Sequence, residues 1–364
     1  MDLFKWELYK IFNQKIIYIV FTGFMILSTS FIFQQQTAEK KEIYQEWTGP
    51  LTSEKIQQAE KENTVLSKEM EELENGEVLA KEVWIKYGIY ENIAFGQGIM
   101  QRAEQKIAEL KNKNTDKAEM ETSMLKQIDV SYFSYHDGPM RIIEFTSMFS
   151  FVATAAMLLI GLSTSYSNEY SSGIDHYMLS SKKGRKTIVW AKILASMLYT
   201  MAVVAIWELW VLFLHSIQYG KEGWDMAMQY NFYLTFSPYP FTFLQYHLIQ
   251  FGLHLLAALC FALLILFLSM LNKNVLITFF ISASVFILPF VIYEMIQWEW
   301  LRNIMLFSSL YMMKAEYLFS DLKVINLFGL PVVFPVFVSV VVLLASIVCM
   351  IVMFRVMKER EVSN

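Results

Sequence analysis

The chain has 364 residues, 55% of them hydrophobic and 18% charged, against about 45–50% and about 25% in an ordinary soluble domain. A soluble globule of this length cannot hide so much apolar surface, and with only 14 Gly, 7 Pro and 2 Cys a disordered chain, a collagen-like fibre and a disulfide scaffold are excluded as well. The formal charge of −4 is uneven, because residues 34–142 hold 14 Lys/Arg against 20 Asp/Glu while the rest of the chain is net positive. These features predict an all-α polytopic membrane protein with one polar block inserted into it.

In residues 1–15, Phe4, Leu8, Ile11 and Phe12 fall at i, i+4, i+7 and i+8. That spacing predicts a short interfacial helix with Asp2, Trp6 and Lys10 turned away from the apolar face; a frayed signal-anchor flank is the alternative. Residues 16–33 carry no charge and lead into Gln34-Gln35-Gln36 without a cleavage-type site, so they are expected to form an uncleaved first span.

The block 34–142 is expected to be an extracytoplasmic helical domain. Ile56, Ala59, Asn63, Leu66, Met70 and Leu73 recur at alternating spacings of 3 and 4, an a/d seam with one polar residue. Asn75-Gly76 would end that helix, and a second would run from about Gly98 to Leu125 with Ala103, Ile107 and Leu110 inward. Together they predict an antiparallel coiled-coil hairpin, with a polar connection near Asn112 to Thr115. Such a hairpin serves equally as a solvated stalk or as a docking module.

Five further spans follow at 143–166, 188–214, 248–271, 275–293 and 332–354, each near or above the ~20 residues needed to cross ~30 Å of hydrocarbon. Between the last two, residues 294–331 are aromatic but interrupted by charge, which predicts interfacial or re-entrant helices, with Trp298, Trp300 and Tyr311 in a headgroup-level belt. Cys260 and Cys349 lie in apolar runs and are expected to be free thiols. With both termini inside, the inner connections hold 11 Lys/Arg in 49 residues and the outer ones 4 in 69. This asymmetry predicts a cytoplasmic N-terminus, a cytoplasmic tail at 355–364, and the 34–142 block outside.

Catalytic signatures are missing from the sequence. None of the five histidines belongs to an H-E-x-x-H pattern, there is no G-x-S-x-G or C-x-x-C, and Gly184-Arg185-Lys186-Thr187 lacks the glycine spacing of a phosphate loop. No enzyme activity, no bound cofactor, no metal and no nucleic-acid partner are therefore expected of this chain. Three polar residues at membrane depth, Glu208, Gln250 and His254, are candidates for a substrate path; the alternative is that Glu208 snorkels to the outer interface and His254 makes one interhelical hydrogen bond.

The connection between the second and third spans, 167–187, is the most informative. Asn168 to Lys192 reads NEYSSGIDHYMLSSKKGRKTIVWAK: an acidic residue, a glycine, a short apolar helix candidate, then a basic cluster entering the next span. The basic cluster alone is explained by topology. The whole arrangement resembles the permease subunits of type-2 ABC exporters, whose first cytoplasmic loop commonly reads E, several residues, G-T, an apolar stretch, P-x-S/T-R and a Lys opening the next helix. Glu169, Gly173, Met178-Leu179, Arg185 and Lys192 occupy those places, while Ile174 replaces the usual Thr and Ser181-Lys182 stands where Pro is common. The interfacial helix, six spans and large insertion after the first span resemble that family too.

The resemblance implies a coupling loop in which Glu169, Gly173, Ile174, Tyr177, Met178 and Arg185 meet a separate ATP-binding subunit. It also implies two copies of that subunit, a second permease subunit, the same or homologous, and ATP and Mg held by the partner. The implied role is the transmembrane permease of an ATP-driven exporter in a bacterial plasma membrane, for an amphipathic or lipid-like substrate such as an antimicrobial peptide, in export or immunity. The rival reading is a membrane sensor or scaffold whose extracytoplasmic coiled coil binds a ligand or partner without transport.

Overall fold

The structure, a computed structural model, describes residues 2–33, 38–72, 81–113, 115–174 and 184–359. Six helical stretches are long and apolar enough to cross a membrane. The first is α2 (Lys15–Ile32), preceded by α1 (Asp2–Phe12). The second, Asp137–Ser171, is built from α7 (Asp137–Phe145), a π-helical turn at Thr146–Ser150, α8 (Phe151–Leu162) and α9 (Thr164–Ser171). The other four are α10 (Gly184–Tyr219), α11 (Phe243–Leu271), α12 (Val275–Met295) and α16 (Phe334–Glu359). All six predicted spans are present, and the second and third run longer than expected because polar residues at their ends continue the helix beyond the apolar stretch.

The helix α11 is the hub. It touches α8, α10, α12 and α16, and Ala257, Phe261, Ile265 and Leu266 are buried in those contacts. By contrast α2, α12 and α16 leave most of their apolar side chains outward, with Ile19, Phe280 and Leu344 all exposed; bilayer hydrocarbon rather than water suits such faces. Helix starts are fixed by capping. Thr242 and Gln245 form a reciprocal capping box on α11, and Asn274 accepts from the N–H groups of Leu276 and Ile277 at the start of α12. Small hydroxyl residues stitch α9 to α11 and α12: the Ser269 Oγ accepts from the N–H groups of Tyr166 and Ser167, and the Ser167 hydroxyl meets Thr278 Oγ1 at 2.8 Å. With few apolar gains available between helices in lipid, close approach of small residues and such bonds drive association.

The inserted block comprises α3 (Ala38–Trp47), α4 (Ser53–Glu72), α5 (Lys81–Leu110) and α6 (Asp116–Leu125), closed at its base by the two-residue antiparallel pair β1 (Gly49–Pro50) and β2 (Tyr132–Phe133). Along α4, Ala59 is buried, Ile56 and Leu66 are half-buried, and Asn63 Nδ2 donates to Glu91 Oε1 at 3.4 Å. The seam residues therefore do face α5. The second arm starts earlier than expected, with α5 beginning at Lys81 rather than near Gly98, but it breaks after Leu110 where the polar connection was expected, and a new helix starts where Thr115 Oγ1 accepts from the Ala118 N–H. Leu73, Asn75-Gly76 and Asn114 lie outside the described residues, as does the side chain of Met70.

The insert is seated on the 220–242 connection. Tyr230 comes within a few ångströms of Gly96, and the Arg102 guanidinium lies 5.3 Å over Phe95 and 5.5 Å over Phe236. At the root His136 is enclosed by Tyr44, Phe133, Tyr230 and Phe243. Burial pushes His136 below the ordinary histidine range, only partly opposed by its bond to the Ser134 carbonyl and by Asp137, while Lys40 reinforces the lowering. A depressed folded-state value means that the unfolded chain binds the extra proton first, so the contribution of this root is full above the ordinary value of about 6.5 and is lost progressively as pH falls from there through the folded-state value. Hydrogen-exchange protection over residues 132–137 is expected to fall as the pH drops below about 6.5, and His136→Phe should flatten that dependence.

The connection after α12 contains the expected short helices, α13 (Glu299–Met305), α14 (Ser309–Met313) and α15 (Glu316–Phe319). Trp298 and Trp300 are exposed and stack on each other, whereas Tyr311, expected beside them in a belt, is fully buried against Tyr293 and Tyr317. Residues 324–333 depart from the helical expectation and form a β-hairpin, β3 (Val324–Leu327) with β4 (Leu330–Val333). Its two-residue turn has positive φ at both Phe328 and Gly329, the mirror-image geometry that matches strand twist. Asn326 Oδ1 supports it by accepting from the Gly329 N–H. Cys260 and Cys349 are free thiols. The insert, the 220–242 connection and residues 296–333 gather at one end of the bundle; α1, the turn after α9 and the end of α16 gather at the other.

Candidate functional site

At that second end, four charged side chains from three helices converge. Lys192 of α10 is 1% exposed, in a region where an unpaired ammonium would be strongly disfavoured. Its Nζ donates to Glu169 Oε1 at 2.7 Å, Glu7 Oε2 at 2.8 Å and the Ser165 carbonyl at 2.7 Å. All three ammonium hydrogens are thereby used, and the Tyr166 ring lies 4.8 Å below the nitrogen. Lys10 completes the group by pairing with Glu7 Oε1 at 2.7 Å and with Glu169. Two carboxylates and two ammonium groups leave the cluster neutral. For Lys10, burial alone would lower the pKa, but Glu169 and Glu7 outweigh it and hold the value above the ordinary lysine range.

The sequence explains the convergence. Phe4, Leu8, Ile11 and Phe12 share one face of α1, as predicted, but that face packs onto the bundle, while Trp6 is exposed as predicted. Lys10, expected to point away, instead turns inward to the carboxylates. Glu7, not singled out, sits one turn from Phe4 on the same face and is 3% exposed; a lone acid on an apolar helical stripe was the available signal. Glu169 and Lys192, the two ends of the loop pattern, are joined directly.

Gly173 ends α9. Its φ is +72°, its N–H donates to the Tyr170 carbonyl at 3.3 Å and that of Ile174 to the Glu169 carbonyl at 3.1 Å, the paired bonds of a Schellman stop. The left-handed turn by itself calls for glycine at this position. Ile174 just beyond it is 51% exposed. Arg185 Nη1 donates to the Lys358 carbonyl at 3.0 Å, tying the start of α10 to the last turn of α16. Tyr177 and Met178 lie outside the described residues.

The three membrane-depth candidates occupy the other half of the bundle. Glu208 lies 3.0 Å from His247 Nε2, His254 Nε2 meets Thr154 Oγ1 at 3.0 Å, and Gln250 Nε2 donates to the Ile143 carbonyl at 3.2 Å and to Ser147 Oγ at 2.9 Å. Ser147 in turn donates to Glu316 Oε2 at 2.6 Å. Burial raises Glu316 above the ordinary carboxylate range, against the lowering pull of Lys314 and Ser147. Ser147 lies within the π-helical turn of the second span. All three candidates are buried and tie neighbouring helices together. Among the described residues no group of three or more His, Cys, Asp or Glu converges to hold a metal.

No protein-family model matches the chain, and neither a curated protein nor a solved structure matches it.

Proposed function

We propose that this chain is the permease subunit of an ATP-driven exporter of the type-2 ABC kind, with its termini and the 167–187 connection cytoplasmic. The observation that carries the reading is the clasp of Glu169, Lys192, Lys10 and Glu7. It braces both roots of the 167–187 connection against each other and against α1. Roots held together in this way couple α9 to α10, so a push from a partner on either would reach two spans at once. The Arg185 tie extends the same brace to α16. The positively charged connections at this end support the cytoplasmic placement. ATP and Mg belong to the partner, in two copies, and a second permease subunit completes the path for an amphipathic or lipid-like substrate such as an antimicrobial peptide.

A photoreactive residue at Ile174 tests this in intact cells. The expected adduct is an ATP-binding subunit, and well-expressed protein that yields none would overturn the reading. The second reading, a sensor or scaffold, is favoured by a cleft of about 820 Å³ between α5, α6 and the membrane-proximal connections, where Arg102, Lys106, Glu109 and Asp321 line a shared wall. It predicts an adduct with a signalling partner instead.

A further inference from the structure

Between the insert-side ends of α2, α7 and α10 lies a separate cavity of about 360 Å³, within the roughly 300–1,000 Å³ of small-molecule sites. Its wall is aromatic: Phe31 and Phe145 are 6.2 Å apart and Phe145 and Phe149 5.1 Å apart. Met148 lies at its mouth with 63% of its surface exposed on the lipid-facing side. Ser147 and Ser150, on the same π-helical turn, are buried in the bundle while Met148 points outward.

The head of the cavity is charged. Arg141 Nη1 donates to Glu144 Oε2 at 3.3 Å, with side-chain exposures of 40% and 20%, and the Arg141 Nε is buried without a hydrogen-bond partner. Eight residues separate Arg141 from Phe149, about 12 Å along a helix at 1.5 Å per residue. A cation and an anion side by side thus sit above an apolar slot that opens to lipid.

We propose that this cavity holds one phospholipid of the surrounding bilayer with a zwitterionic phosphate–amine headgroup. The phosphate sits on the exposed part of the Arg141 guanidinium, the amine sits on Glu144, and one acyl chain lies along Phe31, Phe145 and Phe149. Charge complementarity selects the headgroup. A purely anionic lipid would satisfy Arg141 but face the Glu144 carboxylate, and a cationic amphiphile would satisfy Glu144 but face the guanidinium. The site is independent of the transport reading, since retention of a lipid is measured without a partner subunit.

The test is native mass spectrometry of the full chain, purified in detergent and offered equal amounts of phosphatidylethanolamine and phosphatidylglycerol. One phosphatidylethanolamine should be retained in preference. Arg141→Ala should cut its retention about tenfold, as expected for loss of a hydrogen bond to a charged group. Glu144→Gln should turn the preference toward phosphatidylglycerol. Met148→Trp, a change at an exposed position, should fill the slot and lose the lipid with the thermal midpoint unchanged, so the proposal stays testable even where Arg141→Ala fails to fold. Equal retention of both lipids, retention of neither, or full retention by Met148→Trp would overturn it.

Discussion

Replacing Lys192 with Met is expected to lower the stability of the detergent-solubilised protein by about 3–5 kcal/mol, the cost of breaking a buried ionic group by removing one partner. The side chain fits without added volume, so the loss is electrostatic. Glu169 and Glu7 would remain buried with Lys10 alone to balance them, and the Ser165 carbonyl would lose its donor. Neutralising one acid as well should recover part of the loss: Lys192→Met with Glu169→Gln leaves one carboxylate opposite one ammonium, so the double variant is expected to be more stable than Lys192→Met alone. Lys192→Arg should not substitute, because a planar five-donor fork cannot meet three acceptors arranged around a point. Thermal unfolding followed by tryptophan fluorescence reads all three. A Lys192→Met protein with the wild-type midpoint would show that water, not the lysine, solvates these carboxylates.

The spans were legible because their signal is compositional. A run such as Val336 to Met353, without a single charge, can do little else than cross a bilayer. The roots of the 167–187 connection were legible in part. Glu169 and Lys192 stand out as charges beside apolar runs, yet which way they face depends on α1, more than 150 residues from either in sequence, and no local pattern carries that pairing. Lys10 was misplaced for the same reason: a lysine on the polar edge of an amphipathic helix ordinarily points to water, and only the buried acid across the interface turns it in. The start of α5 was missed because Lys81 to Gln97 mixes Trp84, Tyr87, Gly88 and Gly96 into a weakly periodic stretch, and its partners are Trp47, Tyr44 and Tyr230 in distant segments. The 324–333 hairpin lacks the Asn-Gly or Asp-Gly that marks such turns; with Phe328 in the left-handed region, only Gly329 and Asn326 hint at the reversal, and they are set in an apolar run.

Gly223→Ala is expected to have the other large effect. Gly223 has φ +82°, and a Cβ there would stand 2.4 Å from the Tyr135 carbonyl oxygen and 2.6 Å from the His136 Cα. The left-handed conformation costs an L-residue roughly 1–2 kcal/mol, and overpacking typically adds about 1–3 kcal/mol. Neither is easily relieved, because the opposing atoms are backbone and His136 is itself held by four aromatic rings. The strain should therefore open the junction where the 220–242 connection crosses the root of the insert, raising hydrogen exchange across residues 132–137 and exposing the Trp224–Met228 stretch to protease while the six spans stay assembled. Gly252→Ala provides the control. It lies in mid-α11 with nothing within 4 Å of the added carbon, and replacing a helical glycine by alanine should stabilise the chain by about 0.5–1 kcal/mol. A Gly223→Ala protein as resistant to heat and protease as the Gly252→Ala protein would mean that the connection is not seated on Tyr135 and His136, and that the insert is free to swing on its root.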